Sequence, residues 1–184
     1  MGWTTMHATH YKNGTVDRKA EIDAIWNDDA SHKFQVLKSA MKGTTYYGAI
    51  KQTETNEVFA VIFLTSIDMS EYFNFSYKDM DETYGPYHCD CPKGILDLLT
   101  PTDNEYALKW RENCYQNLKI AYKRGMLSKL PIGTVIRFTD RNGTAHEYVK
   151  HPPAYQFKCS FWKRYNGNTY IKKRNIPNDY EVIK

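Results

Sequence analysis

Val58-Phe59-Ala60-Val61-Ile62-Phe63-Leu64 is a run of seven apolar residues. A strand wet on one face alternates apolar with polar side chains; a strand covered on both faces reads as an unbroken apolar run. The stretch therefore predicts a central, buried strand. Two more strands are expected before it, at about 34–41 and 45–52, with the central one over 57–65. Residues 3–9 are rich in strand formers, and a strand there would put Trp3, Thr5, His7 and Thr9 on one face. Asn13-Gly14 is a turn signal, and Asp17 is placed to cap a first helix with Ile22, Ile25 and Trp26 on one side.

Beyond the central strand the texture changes twice. Residues 66–93 read as a long, aromatic, acidic loop. A short helix is expected over 95–99. Thr102 or Asp103 would then cap a long helix from about 104 to 124, with Ala107, Trp110, Cys114, Leu118 and Ala121 at helical spacing and Gly125 ending it. After Leu130, Arg141-Asn142-Gly143 and Tyr165-Asn166-Gly167-Asn168 are hairpin turns, and Pro152-Pro153 breaks the middle. Residues 131–184 thus predict four or five short strands in a small twisted sheet or barrel. The fold class expected is α+β: a β-α-β-β-β sheet with a long helix packed on it over 1–128, then a small basic β lobe over 129–184.

The chain has 184 residues, 41% of them hydrophobic and 25% charged, enough for a real core. No apolar run approaches the ~20 residues of a membrane helix, and the N-terminus does not read as a signal peptide. A cytoplasmic protein that makes no use of a membrane is expected. The net charge of +4 is modest, but it is unevenly spread. Residues 150–184 carry a net +6, while residues 67–103 hold eight acids against Lys78 and Lys93. There is no phosphate-binding loop, dinucleotide glycine fingerprint, G-x-S-x-G or H-E-x-x-H, which sets aside most common cofactor enzymes. No cofactor is expected. Cys89 and Cys91 form a C-x-C without the second knuckle of a structural zinc site, so no metal is expected either.

Three clusters could carry chemistry. His7, His10, Lys19 and Glu21 suit a metal-independent ribonuclease: one histidine takes the 2′-hydroxyl proton, another protonates the leaving oxygen, and a cation steadies the phosphorane. His7-Ala8-Thr9 also matches one H-x-T motif, although two-histidine phosphoesterases carry two. Asp79, Asp81, Glu82, His88 and Asp90 could hold a metal, cap helices or imitate nucleic-acid charge. Lys158, Trp162, Lys163, Arg164, Lys172, Lys173 and Arg174, interleaved with Phe161, Tyr165 and Tyr170, suit single-stranded or folded RNA: rings stack on bases and cations meet phosphates. Strand alternation puts Trp162 with Arg164, and Phe161 with Lys163 and Tyr165, so some of these rings must be core.

Gly2-Trp3-Thr4, His7-Ala8-Thr9-His10-Tyr11-Lys12-Asn13-Gly14, Cys89-Asp90-Cys91-Pro92-Lys93-Gly94 and Lys150-His151-Pro152-Pro153-Ala154-Tyr155 together resemble an uncharacterised protein family of Gram-positive bacteria, carried by plasmids, phages and conjugative elements. The resemblance implies a protein that counters host defence, related to anti-CRISPR inhibitors of RNA-guided nucleases. The expected partner is then RNA or the RNA-guided nuclease complex. The expected action is engagement, or cleavage, of the guide RNA. The alternative is a non-enzymatic plasmid or phage protein that binds nucleic acid or imitates DNA.

Overall fold

The computed structural model describes residues 2–27, 32–68, 72–76 and 80–184. The fold is α+β and divides into two compact units, Met1–Leu118 and Lys119–Lys184. The division falls inside the long helix, whereas the sequence reading put it after that helix.

The first unit is built on an antiparallel sheet of β1 (Trp3–His7), β4 (Phe34–Lys42), β5 (Thr45–Gln52), β6 (Val58–Asp68) and β7 (Tyr72–Ser76), in the order β1-β7-β6-β5-β4. The apolar run is the first part of β6, the middle strand. The residues read as loop after position 66 include β7, which pairs with β6 and gives β1 its place at the sheet edge. Asn13 and Gly14, both at positive φ, turn a small hairpin of β2 (Tyr11–Lys12) and β3 (Thr15–Val16). Asp17 then caps α1 (Arg18–Asn27), its Oδ1 accepting from Ala20 N at 3.2 Å.

Alternation along the strands assigns the two faces. Tyr46 donates its hydroxyl to Asp23 of α1 at 2.7 Å, while the Tyr47 hydroxyl accepts from Asp90 N at 3.3 Å. On the α1 face, Trp26 meets Phe34, Phe59 and Phe63 edge-on or tilted. The Tyr47 face is covered by residues 80–100, including α2 (Lys93–Leu96). Residues 1–118 also include the start of α3 (Glu105–Lys129), with Ala107, Trp110 and Cys114 buried. The helix cap is Asn104, whose Oδ1 accepts from Ala107 N at 3.0 Å, rather than Thr102 or Asp103. The helix also runs through Gly125 to Lys129, and Ala121 is exposed.

One edge of β6 sets a bonding problem. β7 covers it only from Thr65 onward. Upstream, four backbone donors need other acceptors. Val58 N donates to Thr100 Oγ1 at 3.3 Å, Ala60 N to Glu82 Oε1 at 3.1 Å, Ile62 N to Met80 O at 2.7 Å and Leu64 N to Ser76 Oγ at 3.1 Å. Glu82 is 1% exposed. Its charge is met by Arg111 of α3 in a two-pronged pair, Nε to Oε2 at 2.6 Å and Nη2 to Oε1 at 2.8 Å. Arg111 Nη1 also donates to Thr100 O at 2.7 Å.

The second unit holds a five-stranded antiparallel sheet, β11-β10-β9-β8-β12. Its strands are β8 (Val135–Thr139), β9 (Ala145–His151), β10 (Phe161–Arg164), β11 (Tyr170–Ile171) and β12 (Glu181–Val182). Both expected hairpin turns lie between paired strands, β8 with β9 and β10 with β11. Leu127, Ile136, Phe138, Tyr148, Trp162 and Ile176 form its core. Lys150 of β9 is 4% exposed. Its ammonium donates to Ser128 O at 2.8 Å and Leu130 O at 2.6 Å, and to Leu127 O at 3.4 Å. It thereby caps the carbonyl end of α3, where the helix dipole is negative.

Breaking a buried pair by removing one partner leaves an uncompensated charge. Arg111→Leu is therefore expected to lower stability by about 3–5 kcal/mol, visible as a lower urea midpoint. An unchanged midpoint would show that the pair does not hold residues 80–100 on the sheet.

Candidate nucleic-acid interface

Three polar clusters compete for a functional role, and the structure treats them differently. In the N-terminal cluster, Glu21 of α1 is 3% exposed. Its Oε1 accepts from Thr9 N and His10 N, each at 2.5 Å. Its Oε2 accepts from Thr9 Oγ1 at 3.3 Å and lies 3.5 Å from His10 Nδ1. The His10 ring is further held by Thr9 Oγ1, 3.0 Å from Nδ1, and its side chain is half-exposed. A carboxylate and a hydroxyl thus hold a half-exposed histidine at one ring nitrogen, a base-and-orienter arrangement.

The other two predicted members stand apart from it. Lys19 pairs with Asp23 at 2.6 Å, one helical turn on, not with Glu21. The exposed His7 ring lies over Tyr72, centroids 4.5 Å apart, at the end of β1. Among the described residues, neither makes a hydrogen bond or ion pair with His10.

The acidic cluster is dispersed. Glu82 is buried against Arg111, so it is not offered to a metal or a basic partner. The Asp81 carboxylate caps the 3-10 turn Glu82–Tyr84, accepting from Thr83 N at 2.7 Å. His88 gives its carbonyl to Trp110 Nε1 at 2.9 Å, and Asp90 its N–H to Tyr47. Asp79 lies outside the described residues. Among the described residues no three or more His, Cys, Asp or Glu side chains are placed to hold a metal ion.

Cys91 and Cys114 are fully buried, and Cys89 lies beside α3, its carbonyl accepting from Asn117 Nδ2 at 3.0 Å. Burial pushes the Cys114 thiol up to about 12 and raises Cys91 and Cys89 above the ordinary thiol value.

The basic cluster borders a concave surface. A cavity of about 440 Å³ opens in the second unit. Leu127, Phe157, Phe161, Trp162 and Ile171 supply its apolar wall, and Lys150, Lys172 and Lys173 its cations, with Ser128, Cys159 and Ser160 completing it. That volume falls in the range of small-ligand sites. Trp162, expected to meet nucleic acid, is 3% exposed and belongs to the core. The rings nearer the surface are Phe157, Phe161, Tyr170 and His151. Phe157 stacks on Phe161 with centroids 4.4 Å apart, and His151 stacks on the same ring at 5.4 Å, nearly coplanar. Tyr170 joins both phenylalanines at 5.2 and 5.5 Å.

Lys158 is exposed beside Phe157, and Lys163 lies opposite Tyr170 in the β10–β11 ladder. Arg164 is exposed, with its stem over Gly167. Lys173 donates to Ser128 Oγ, and Lys172 and Arg174 are exposed. Burial, with the Lys173 ammonium nearby, holds the Lys150 amine below its ordinary value. Phe157 and His151 were not among the predicted site residues. Phe157 falls in the irregular stretch between β9 and β10, where no strand alternation points to it.

A family described as a domain of unknown function, DUF6927, matches residues 101–143, which is less than half of the chain. No curated protein and no solved structure matches it. Among the described residues no helix is long and apolar enough to cross a membrane.

The thiols give a direct check on the packing. At mildly alkaline pH Cys91 and Cys114 stay protonated and enclosed, because their values lie well above the solution pH. Alkylation followed by mass spectrometry is expected to modify the exposed Cys159 first and to reach Cys91 and Cys114 only after denaturation. Rapid labelling of Cys114 in the folded protein would show that α3 is not closed over residues 88–91.

Proposed function

We propose that the protein binds unpaired RNA through its C-terminal unit and acts as a mobile-element inhibitor. Its target would be the guide RNA of a host RNA-guided nuclease, or the complex holding that RNA, in the cytoplasm. The RNA-binding part rests on one observation: stacked, partly exposed rings border a cavity edged by lysines. Single-stranded nucleic acid is held by that pairing of ring faces for bases with cations for phosphates. The choice of guide RNA and nuclease rests on the family resemblance alone. DNA imitation by the acidic stretch is the weaker reading, since Glu82 is spent inside the fold.

A second reading adds cleavage. It is favoured by the His10–Glu21–Thr9 arrangement, which presents one ring nitrogen of an oriented histidine. The chemistry would be removal of the 2′-hydroxyl proton by His10 Nε2 without a metal. His7 and Lys19 would have to reach the reacting phosphate from where they now stand.

Two experiments separate these readings. A labelled single-stranded RNA titrated with the protein is expected to bind with a negative salt slope of ~0.7 for each cation engaged, and Lys172→Ala with Lys173→Ala to reduce it by about 1.4. Phe161→Ala is expected to weaken binding about tenfold, within the ~1–3 kcal/mol of one stacked base. Bound RNA is also expected to slow alkylation of Cys159, which lines the cavity. Salt-independent or absent binding would end the RNA reading. For cleavage, guide RNA incubated in EDTA, with and without the nuclease, should yield a product that is lost in His10→Ala while binding persists. Intact RNA in every lane would remove the second reading and leave the first.

A further inference from the structure

A second concave surface of the C-terminal unit lies outside every cluster the sequence singled out as a whole. Arg124 of α3, Arg141 of the β8–β9 turn and Arg174 of the 3-10 turn Lys173–Asn175 line one open groove of about 620 Å³. All three are exposed. Among the described residues, none of the three makes an ion pair or a side-chain hydrogen bond.

Two carboxylates share the groove, Asp140 and Asp179. Asp140 is already engaged: it accepts from Asn142 N and Thr144 N at 2.9 Å each and pairs with His146 Nε2 at 2.8 Å. The His146 contact, with those two backbone donors, holds the Asp140 carboxyl below the usual carboxylate range, so it stays ionised and structurally committed. Three guanidinium groups without ion pairs thus share a groove with two carboxylates, so the charged side chains lining it are net positive. The planar fork of each arginine fits the paired oxygens of a phosphate.

We infer that this groove holds the phosphodiester backbone of the RNA strand whose bases stack at the aromatic cavity. The link between the two surfaces is a single backbone step. Lys173 lines the cavity and Arg174 the groove, and neighbouring Cα atoms are about 3.8 Å apart. A strand leaving the cavity past that turn enters the groove that Arg174 shares with Arg124 and Arg141. The inference rests on the RNA-binding reading and extends it: the ligand is a strand long enough to span both surfaces, not a lone nucleotide.

The test compares a labelled RNA dinucleotide with a labelled RNA dodecamer on three proteins: wild type, the double variant Arg124→Gln with Arg141→Gln, and Phe161→Ala. Both arginines are exposed, and thermal melts check that the double variant is folded. The dodecamer is expected to lose at least tenfold in affinity on the double variant, with the salt slope reduced by about 1.4. The dinucleotide is expected to bind it as it binds wild type. A dodecamer bound equally by wild type and the double variant, while Phe161→Ala weakens it, would overturn the groove and leave the cavity standing. Failure of wild type to bind either RNA would overturn the RNA reading and the groove with it.

Discussion

The first unit depends on how one strand edge is satisfied. β6 is the middle of the sheet, yet over its first seven residues β5 is its only full strand neighbour. An open row of N–H groups there would be both a cost and an invitation to foreign strands. The chain closes it with a mixture of acceptors, and one of them is a carboxylate. A buried carboxylate is tolerable only with a matched cation, and Arg111 supplies it bidentately from a helix that begins 23 residues after Glu82. Because Arg111 also holds Thr100 O, the same guanidinium fixes both ends of the segment laid over the sheet. Residues that look like an acidic surface in the sequence are in this way part of the sheet's hydrogen bonding.

The second unit solves a related problem with the opposite charge. The last carbonyls of α3 have no partners within the helix, and the Lys150 ammonium collects three carbonyls at that end. A small unit with few core side chains gains order from such a cap, since the helix end, β9 and the cavity wall are then tied to one nitrogen. Lys150 is counted among the cations of the cavity, but its protons are committed to the backbone. The charge offered to a ligand comes from Lys172 and Lys173 at the rim.

Much of this architecture was legible from periodicity. The apolar run, the Asn13-Gly14 turn, the Asp17 cap and the two C-terminal hairpins all follow from local chemistry that tertiary packing did not override. What was misread has local causes too. β7 carries little strand signal because Tyr72-Phe73-Asn74-Phe75-Ser76 sits within an acidic, aromatic stretch whose texture reads as loop. Gly125 carries a helix-stop signal, but the helix continues to bury Leu127 two residues on, and that burial outweighs the ~1 kcal/mol cost of an interior glycine. Trp162 and Phe161 were both plausible stacking rings; only the fold says which faces the core. Of the arginine groove only Arg174 had a signal in the sequence, as part of the C-terminal basic cluster; Arg124 and Arg141 share no spacing with it and line the same groove only through helix, turn and 3-10 turn.

The contrast between the two units bears on where function resides. In the first, the charges that attract notice are consumed at home: Glu21 by two backbone donors, Lys19 by Asp23, Glu82 by Arg111, Asp81 by a turn. Glu21 and Glu82 have traded hydration for protein partners, and removing those partners would expose a cost inside the fold. In the second, Arg124, Arg141 and Arg174 are exposed and, among the described residues, make no ion pair. Stability alone gives no reason to line one groove with three unpaired arginines. A polyanion releases its own counterions as exposed cations neutralise it, so charges that do nothing for the fold become favourable in a complex. His10 stands between these cases. Its ring is held at Nδ1 by Glu21 and Thr9, yet nearly half of its side chain remains in water, so it combines a fixed orientation with access from solvent.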